Sequence, residues 1–428
     1  MRPMTKHPWF ALAVCLAMGQ VGVRPADRLV VHEWGTFTSL QDEDGRTIGG
    51  INSDDEPVPL FVHDLARDLI VGNRVQGAPR CHPHVTLRLE TPVVYFHLPP
   101  GMESLVVNVR VAFRAGWLTQ FYPRAEADAP GLKSGEFRFG PLTNETLSTL
   151  HWNGLRVGGT EVGVECADRV WTAPRAVRAD SVTTPHGDKE RFLFYRGVGH
   201  IESPIRARRG ESGQTLILHG QIPSDLDNAS PLAIPVGWLT EVHPDGKTAF
   251  RRLESLELTA GAERLLARTP ATFEEREFSS EKGNALREEM HAALVRQGLF
   301  GDEARALLET WQLSYFDSAG LRFFYIVPPA WTDHYLPLEI SVPAELVRVM
   351  VGRLELVTPR HRELLQRLGR MAGPITEPQA WVECHKRYDQ LGRFRNALVL
   401  DEARRRPTDT LLNFIEKGQL QAYEIPSP

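Results

Sequence analysis

Between residues 28 and 260, apolar positions recur at every second residue. Leu105, Val107, Val109, Val111 and Phe113 alternate with Asn108, Arg110 and Arg114, the pattern of a strand with one buried face. Val85, Leu87 and Leu89 alternate with Thr86, Arg88 and Glu90 in the same way. Short runs of similar character occur at 192–195, 215–219 and 234–241, with glycine, proline and aspartate in the gaps. Many strands separated by turn residues predict an antiparallel sandwich or barrel.

The period then changes. After the polar segment 269–282, Leu286, Met290, Ala293 and Leu294 fall at helical spacing, with Gly298 as a stop. Asp302 is placed to cap a second helix carrying Leu307, Leu308 and Trp311. Residues 321–327 (LRFFYIV) and 348–356 read as strands. Thr358-Pro359 is an N-cap followed by proline at the first helical position, and Thr376-Glu377-Pro378-Gln379 is a capping box opening a helix through Trp381, Cys384 and Tyr388. The predicted fold is α+β: an N-terminal antiparallel β-sandwich-like domain over 20–265, followed by a mainly helical C-terminal region over 266–428.

Residues 1–19 carry a different signal. Arg2 and Lys6 precede the apolar run 9–18 (WFALAVCLAM), and Ala17-Met18-Gly19 fits a signal-peptidase site, so the mature chain is expected to begin near Gln20. The run is too short to anchor the chain across a bilayer. Val14 stands where a small residue is wanted, which disfavours lipidation at Cys15. A periplasmic or secreted location follows, with no transmembrane segment after cleavage. The full chain has 49 Lys+Arg and 54 Asp+Glu, net −5; loss of Arg2 and Lys6 makes the mature chain −5 − 2 = −7. That balance gives no bulk attraction to nucleic acid. Cys81, Cys166 and Cys384 remain, which allows at most one internal disulfide, for instance Cys81 to Cys166.

Three constellations could carry chemistry. In Val31-His32-Glu33-Trp34-Gly35-Thr36-Phe37-Thr38-Ser39, strand alternation puts Glu33 with Val31 and Phe37, and His32 with Trp34, Thr36 and Thr38. A carboxylate on the apolar side must be paired, hydrogen-bonded or protonated, so Glu33 is either a catalytic acid or base or a tie to an arginine or amide. Cys81-His82-Pro83-His84 offers two imidazoles at i and i+2, suited to Zn²⁺ or Cu²⁺, with Cys81 or a distant residue (His32, His63, His97, His151 or Glu33) as a further ligand. The same pair also fits an ordinary hydrogen-bonded surface. Asn52-Ser53-Asp54-Asp55-Glu56 supplies oxygen donors for Ca²⁺ through Asp54 and Asp55, or is a solvated acidic turn. GxSxG, HExxH, Walker A and GxGxxG signatures are absent.

The opening run resembles a family of uncharacterised secreted proteins from environmental bacteria that carry an N-terminal VHEWGTFTS motif. Glu90-Thr91-Pro92-Val93-Val94-Tyr95-Phe96, Phe192-Leu193-Phe194-Tyr195-Arg196-Gly197-Val198-Gly199, Glu309-Thr310-Trp311, Phe324-Tyr325-Ile326-Val327-Pro328 and Val351-Gly352-Arg353 fit the same family. The resemblance implies secretion and no particular activity.

Two functional expectations follow. In the first, the β-rich domain binds a glycan or envelope component through His32, Trp34 and Trp152. In the second, it is a metal-assisted hydrolase with His82 and His84 as ligands and Glu33 as general base. The C-terminal helices, with Arg360, Arg362 and Arg404 to Arg406 near helix ends, could also dock another exported protein. A solvated basic face suited to helix C-terminal dipoles is the simpler account of those arginines.

Overall fold

The computed structural model describes residues 28–52, 58–65, 74–75, 78–132, 140–220, 226, 232–258, 264–370, 378–418 and 420. Its centre is a nine-stranded sheet. In chain order the strands are β1 (Leu29–Gln41), β2 (His63–Asp64), β3 (Leu87–His97), β4 (Gly116–Tyr122), β5 (Leu193–Gly199), β6 (Leu232–Val242), β7 (Thr248–Leu258), β8 (Gly320–Ile326) and β9 (Ala344–Leu356). Their spatial order is β7-β6-β8-β9-β1-β3-β5-β4-β2. All neighbours in the sheet are antiparallel except β1 and β9, which run parallel.

This arrangement corrects the expected layout of a sandwich followed by a helical region. β8 and β9 belong to the supposed helical part, yet they sit in the middle of the main sheet beside β1. Leu338–Ile340, also from that part, closes an edge of the second sheet. The physical reason is burial. β1 is buried along its whole length and β9 from Met350 to Leu356 is too, so each needs neighbours on both edges and cover on both faces. β1 and β9 meet part of that need by pairing with each other at a separation of 315 positions, and local periodicity carries no trace of such pairing.

One face of the main sheet packs on a second sheet built around Leu105–Arg114 and Leu147–Val157. Val31, Phe37, Leu89, Phe96 and Met350 meet Val107, Val109, Val111, Leu150 and Trp152 there. The opposite face is covered by helices α1 (Glu281–Arg296) and α2 (Gly301–Thr310), against Trp34, Val93, Tyr95, Phe324 and Val349. The last helices are α3 (Pro359–Gly369), α4 (Pro378–Asp389), α5 (Arg395–Arg405) and α6 (Asp409–Lys417). They share a third core with Leu40, Val198 and Val357 at the end of the sheet. Thr358 caps α3 as expected, accepting from the His361 amide. Residues 371–377, which hold Thr376 and Glu377 of the expected capping box, lie outside the described residues.

The runs that suggested the family resemblance are neighbours in space. β9, β1, β3 and β5 carry four of them side by side, and β8 adds a fifth. Among the described residues no helix is long and apolar enough to cross a membrane.

Candidate functional site

β1 presents two chemically different faces. Toward the second sheet, Glu33 is fully buried and accepts 2.6 Å from Arg348 Nε and from the Tyr195 hydroxyl. Arg348 also donates to Asp333 (2.7 Å) and to the Leu336 carbonyl (2.6 Å). Burial opposes the Arg348 charge, but Glu33 and Tyr195 outweigh it and hold the guanidinium above its ordinary pKa. Glu33 is thus a charge-paired acid in a closed interior.

Toward the helices, β1 places His32, Trp34, Thr36 and Thr38. His32 Nδ1 lies 2.7 Å from one oxygen of Glu303, and His97 Nε2 lies 2.8 Å from the other. Glu303 stands in the first turn of α2, where it also accepts from the Phe300 amide at 2.8 Å. Burial would raise the Glu303 carboxyl, but the two imidazoles override it and the net shift is downward. Trp34 is in the core, with no polar face toward solvent.

Further along the same face, Thr38 donates to Glu90 at 2.7 Å. Glu90 also meets Arg88 at 2.7 Å and Arg393 at 2.9 Å. Burial alone would raise this carboxyl; Arg88, Arg393 and Arg353 hold it at about 2. Close by, Glu355 takes Arg353 Nε at 2.7 Å and Arg322 at 3.0 Å. Among the described residues, Arg88, Arg322, Arg353 and Arg393 thus gather around Glu90 and Glu355. Guanidinium stays protonated under such conditions, so these charges are fixed.

Arg393 also opens onto a cavity of about 930 Å³ between the C-terminal helices and the end of the main sheet. Among the described residues its walls carry Arg209, Arg360, Arg393 and Arg395, with Glu241 and Asp389. Burial pushes the Glu241 carboxyl up, which weakens one of those two counter-charges, and holds His361 at about 4 and so neutral. The first turns of α3 and α5 line the same space, neither contains an acidic residue, and α5 has no side-chain cap. Helix N-termini favour anions, and arginine there is electrostatically misplaced unless an anion accompanies it. Arg360 thus lies at a helix start, whereas Arg404 and Arg405 do end α5. Planar guanidinium groups at the mouth of a pocket suit phosphate or carboxylate.

The other residues proposed from sequence are placed as follows. His82 and His84 lie on a loop with His200, the ring centroids 5.7 and 5.1 Å apart. His82 Nδ1 accepts from the His84 amide at 3.2 Å, and His84 Nδ1 donates to the Leu142 carbonyl at 2.9 Å. Burial, with His84 and His200 alongside, lowers His82 to about 3. Among the described residues, one group of three or more His, Cys, Asp and Glu brings its ligand atoms close enough to share an ion: His32, His97 and Glu303. It includes none of Glu33, Cys81, His82 and His84, so the expected hydrolase parts are not assembled together. Cys81, Cys166 and Cys384 are all free thiols, which removes the Cys81 to Cys166 bridge. Trp152 is buried with its indole donating to the Pro123 carbonyl at 3.0 Å, and neither it nor Trp34 can serve as a sugar platform. Asp54 and Asp55 lie outside the described residues.

Glu303 and the arginine network had no local signal. His97 could be named only as one histidine among 15, and arginines 88, 322, 353 and 393 converge from four segments.

No family model and no curated protein matches the chain. Among solved structures, the chain is similar to the Fcho1 Mu homology domain of Danio rerio with bound Eps15 peptide, at 9% identity and a TM-score of 0.29, over 78% of this chain and 98% of that one. A likeness at that score does not define the fold.

Proposed function

We propose that this is an exported binding protein whose arginine-lined cavity holds an anionic envelope component, recognised through phosphate or carboxylate groups. The observation that carries the reading is the set of guanidinium groups gathered at the cavity, Arg209, Arg360, Arg393 and Arg395 among the described residues, with two helix N-termini beside them. Behind Arg393, further arginines are buried in the sheet around Glu90 and Glu355. The expected mature chain is −7, so a cationic recess is a local feature set against an acidic body, and its field is focused by low-dielectric walls. Export rests on the N-terminal segment, and the recess supplies a ligand chemistry that the buried tryptophans do not.

The test is calorimetric titration of the mature chain with inorganic phosphate, citrate and polygalacturonate. Binding that falls at least tenfold in Arg360→Glu and Arg395→Glu, and not in the exposed control Arg276→Glu, is the expected result. No binding of any of the three, or equal binding by all variants, would overturn the reading.

A further inference from the structure

We infer that His32, His97 and Glu303 form a buried site for a divalent transition metal, with Zn²⁺ the ion best matched to the ligand set. Two imidazoles and a carboxylate are a common donor set for Zn²⁺. Here they come from three elements. In the β1–β3 pairing His32 lies opposite Tyr95 and His97 opposite Val30, so the two histidines are diagonal neighbours on one face. α2 lays Glu303 across them.

The donor atoms already lie close together. All three lie within 4.8 Å of one another, and each imidazole presents its nitrogen to a different oxygen of the same carboxylate. Ligands about 2.0–2.1 Å from a tetrahedral ion stand roughly 3.3 Å apart, so insertion asks the present 2.7 and 2.8 Å contacts to open by about half an ångström. The surroundings are closed: the three residues are 2%, 1% and 0% exposed, and the Phe300 ring lies 4.6 and 4.9 Å from the two imidazoles.

Charge points the same way. A buried Glu303 carboxylate needs a cation nearby. Among the described residues His97 Nδ1 is buried with no hydrogen-bond partner. An ion held by Glu303 and the two imidazoles would supply that positive charge. An ion would join β1 and β3 to α2 across sequence separations of 271 and 206 residues, closing loops that hold the sheet and its helical cover together.

The experiment uses the full mature chain purified without chelator. Metal content is measured first; the protein is then stripped with a strong chelator and titrated with Zn²⁺ and with Co²⁺. We expect one equivalent bound, a visible cobalt d–d spectrum displaced by Zn²⁺, and a melting temperature lowered by stripping and restored by metal. Glu303→Gln keeps an acceptor for the Phe300 amide and His97→Gln keeps polarity, and each should weaken uptake at least about a hundredfold. The wild-type measurements stand even if a variant fails to fold. No metal in the purified protein, no stoichiometric uptake after stripping and no change in melting would overturn the site, as would uptake unaffected by both variants. Arg360→Glu and Arg395→Glu should leave uptake unchanged, which separates this result from the fate of the anion-binding reading.

Discussion

Glu33 and Arg348 stand opposite each other in the parallel pairing of β1 and β9, and their side chains meet at 2.6 Å across the buried face of the sheet. Both are enclosed, and Arg348 spends its other nitrogens on Asp333 and a backbone carbonyl. Removing one member of a buried pair leaves an uncompensated charge, which costs about 3–5 kcal/mol, while removing both can be nearly neutral. Glu33→Gln and Arg348→Met should each lower unfolding stability by about that amount, and the double variant should recover much of it. Urea unfolding of the four proteins checks this. Additive losses would show that the two residues do not act as a pair.

That pairing illustrates how much was legible in the sequence. Alternation in VHEWGTFTS correctly put Glu33 on the face of Val31 and Phe37, because side-chain period in a strand is a local property. The need for a partner followed from burial. The partner itself, 315 positions away, did not, because a parallel neighbour leaves no mark on the strand it pairs with. β8 and β9 were legible as strands, but the same limit hid their place in the main sheet beside β1, and hid Glu303 from His32. Helix ends such as Thr358 were legible since capping is decided within four residues.

Acid should unfold the protein in steps whose order is set by its buried groups. His82 is held at about 3 against an ordinary value of 6.5, so the unfolded chain takes up that proton first. Stability is therefore full above 6.5 and falls as pH drops toward 3, by about 1.4 kcal/mol per pH unit for one proton. His361, at about 4, adds a similar slope. Glu90, lowered to about 2 from 4.5, adds another below 4.5. His82→Gln should remove one proton's slope between about pH 6.5 and pH 4.5, measured by urea unfolding across that range. An unchanged slope would mean His82 titrates normally in the folded protein.

Gly352 faces Tyr325 in the β8–β9 register, and a Cβ at Gly352 would lie 2.0 Å from the tyrosine ring. The ring is buried and cannot swing away. Gly352→Ala should cost about 1–3 kcal/mol through overpacking. Tyr325→Leu, destabilising by itself, should reduce the added cost of the alanine. Equal costs in both backgrounds would place the strain elsewhere.

Three free thiols in a chain expected to be exported make a plain prediction. Alkylation of the unfolded mature protein without reductant should label Cys81, Cys166 and Cys384, and the folded protein should label Cys166 first because the other two are buried. Peptide mass analysis reads both. A disulfide between any two would contradict the structure.

Arg393 belongs both to the buried network and to the cavity wall, and this dual position separates stability from binding. Glu90 keeps Arg88 and Thr38 when Arg393 is lost, and the loss removes a like charge that opposes the buried Arg88 guanidinium. Arg393→Met should therefore destabilise by no more than about 1–2 kcal/mol, whereas Glu90→Gln, which strips the arginines of a counter-charge, should cost about 3–5 kcal/mol. Binding should rank differently. Arg393→Met removes a guanidinium from the recess and should weaken citrate at least tenfold, while the excess cation in Glu90→Gln, if it remains folded, should hold citrate at least as tightly. Thermal melts with and without citrate report both quantities on the same samples. A large stability loss in Arg393→Met with citrate binding intact would show that its charge serves the fold and not the recess.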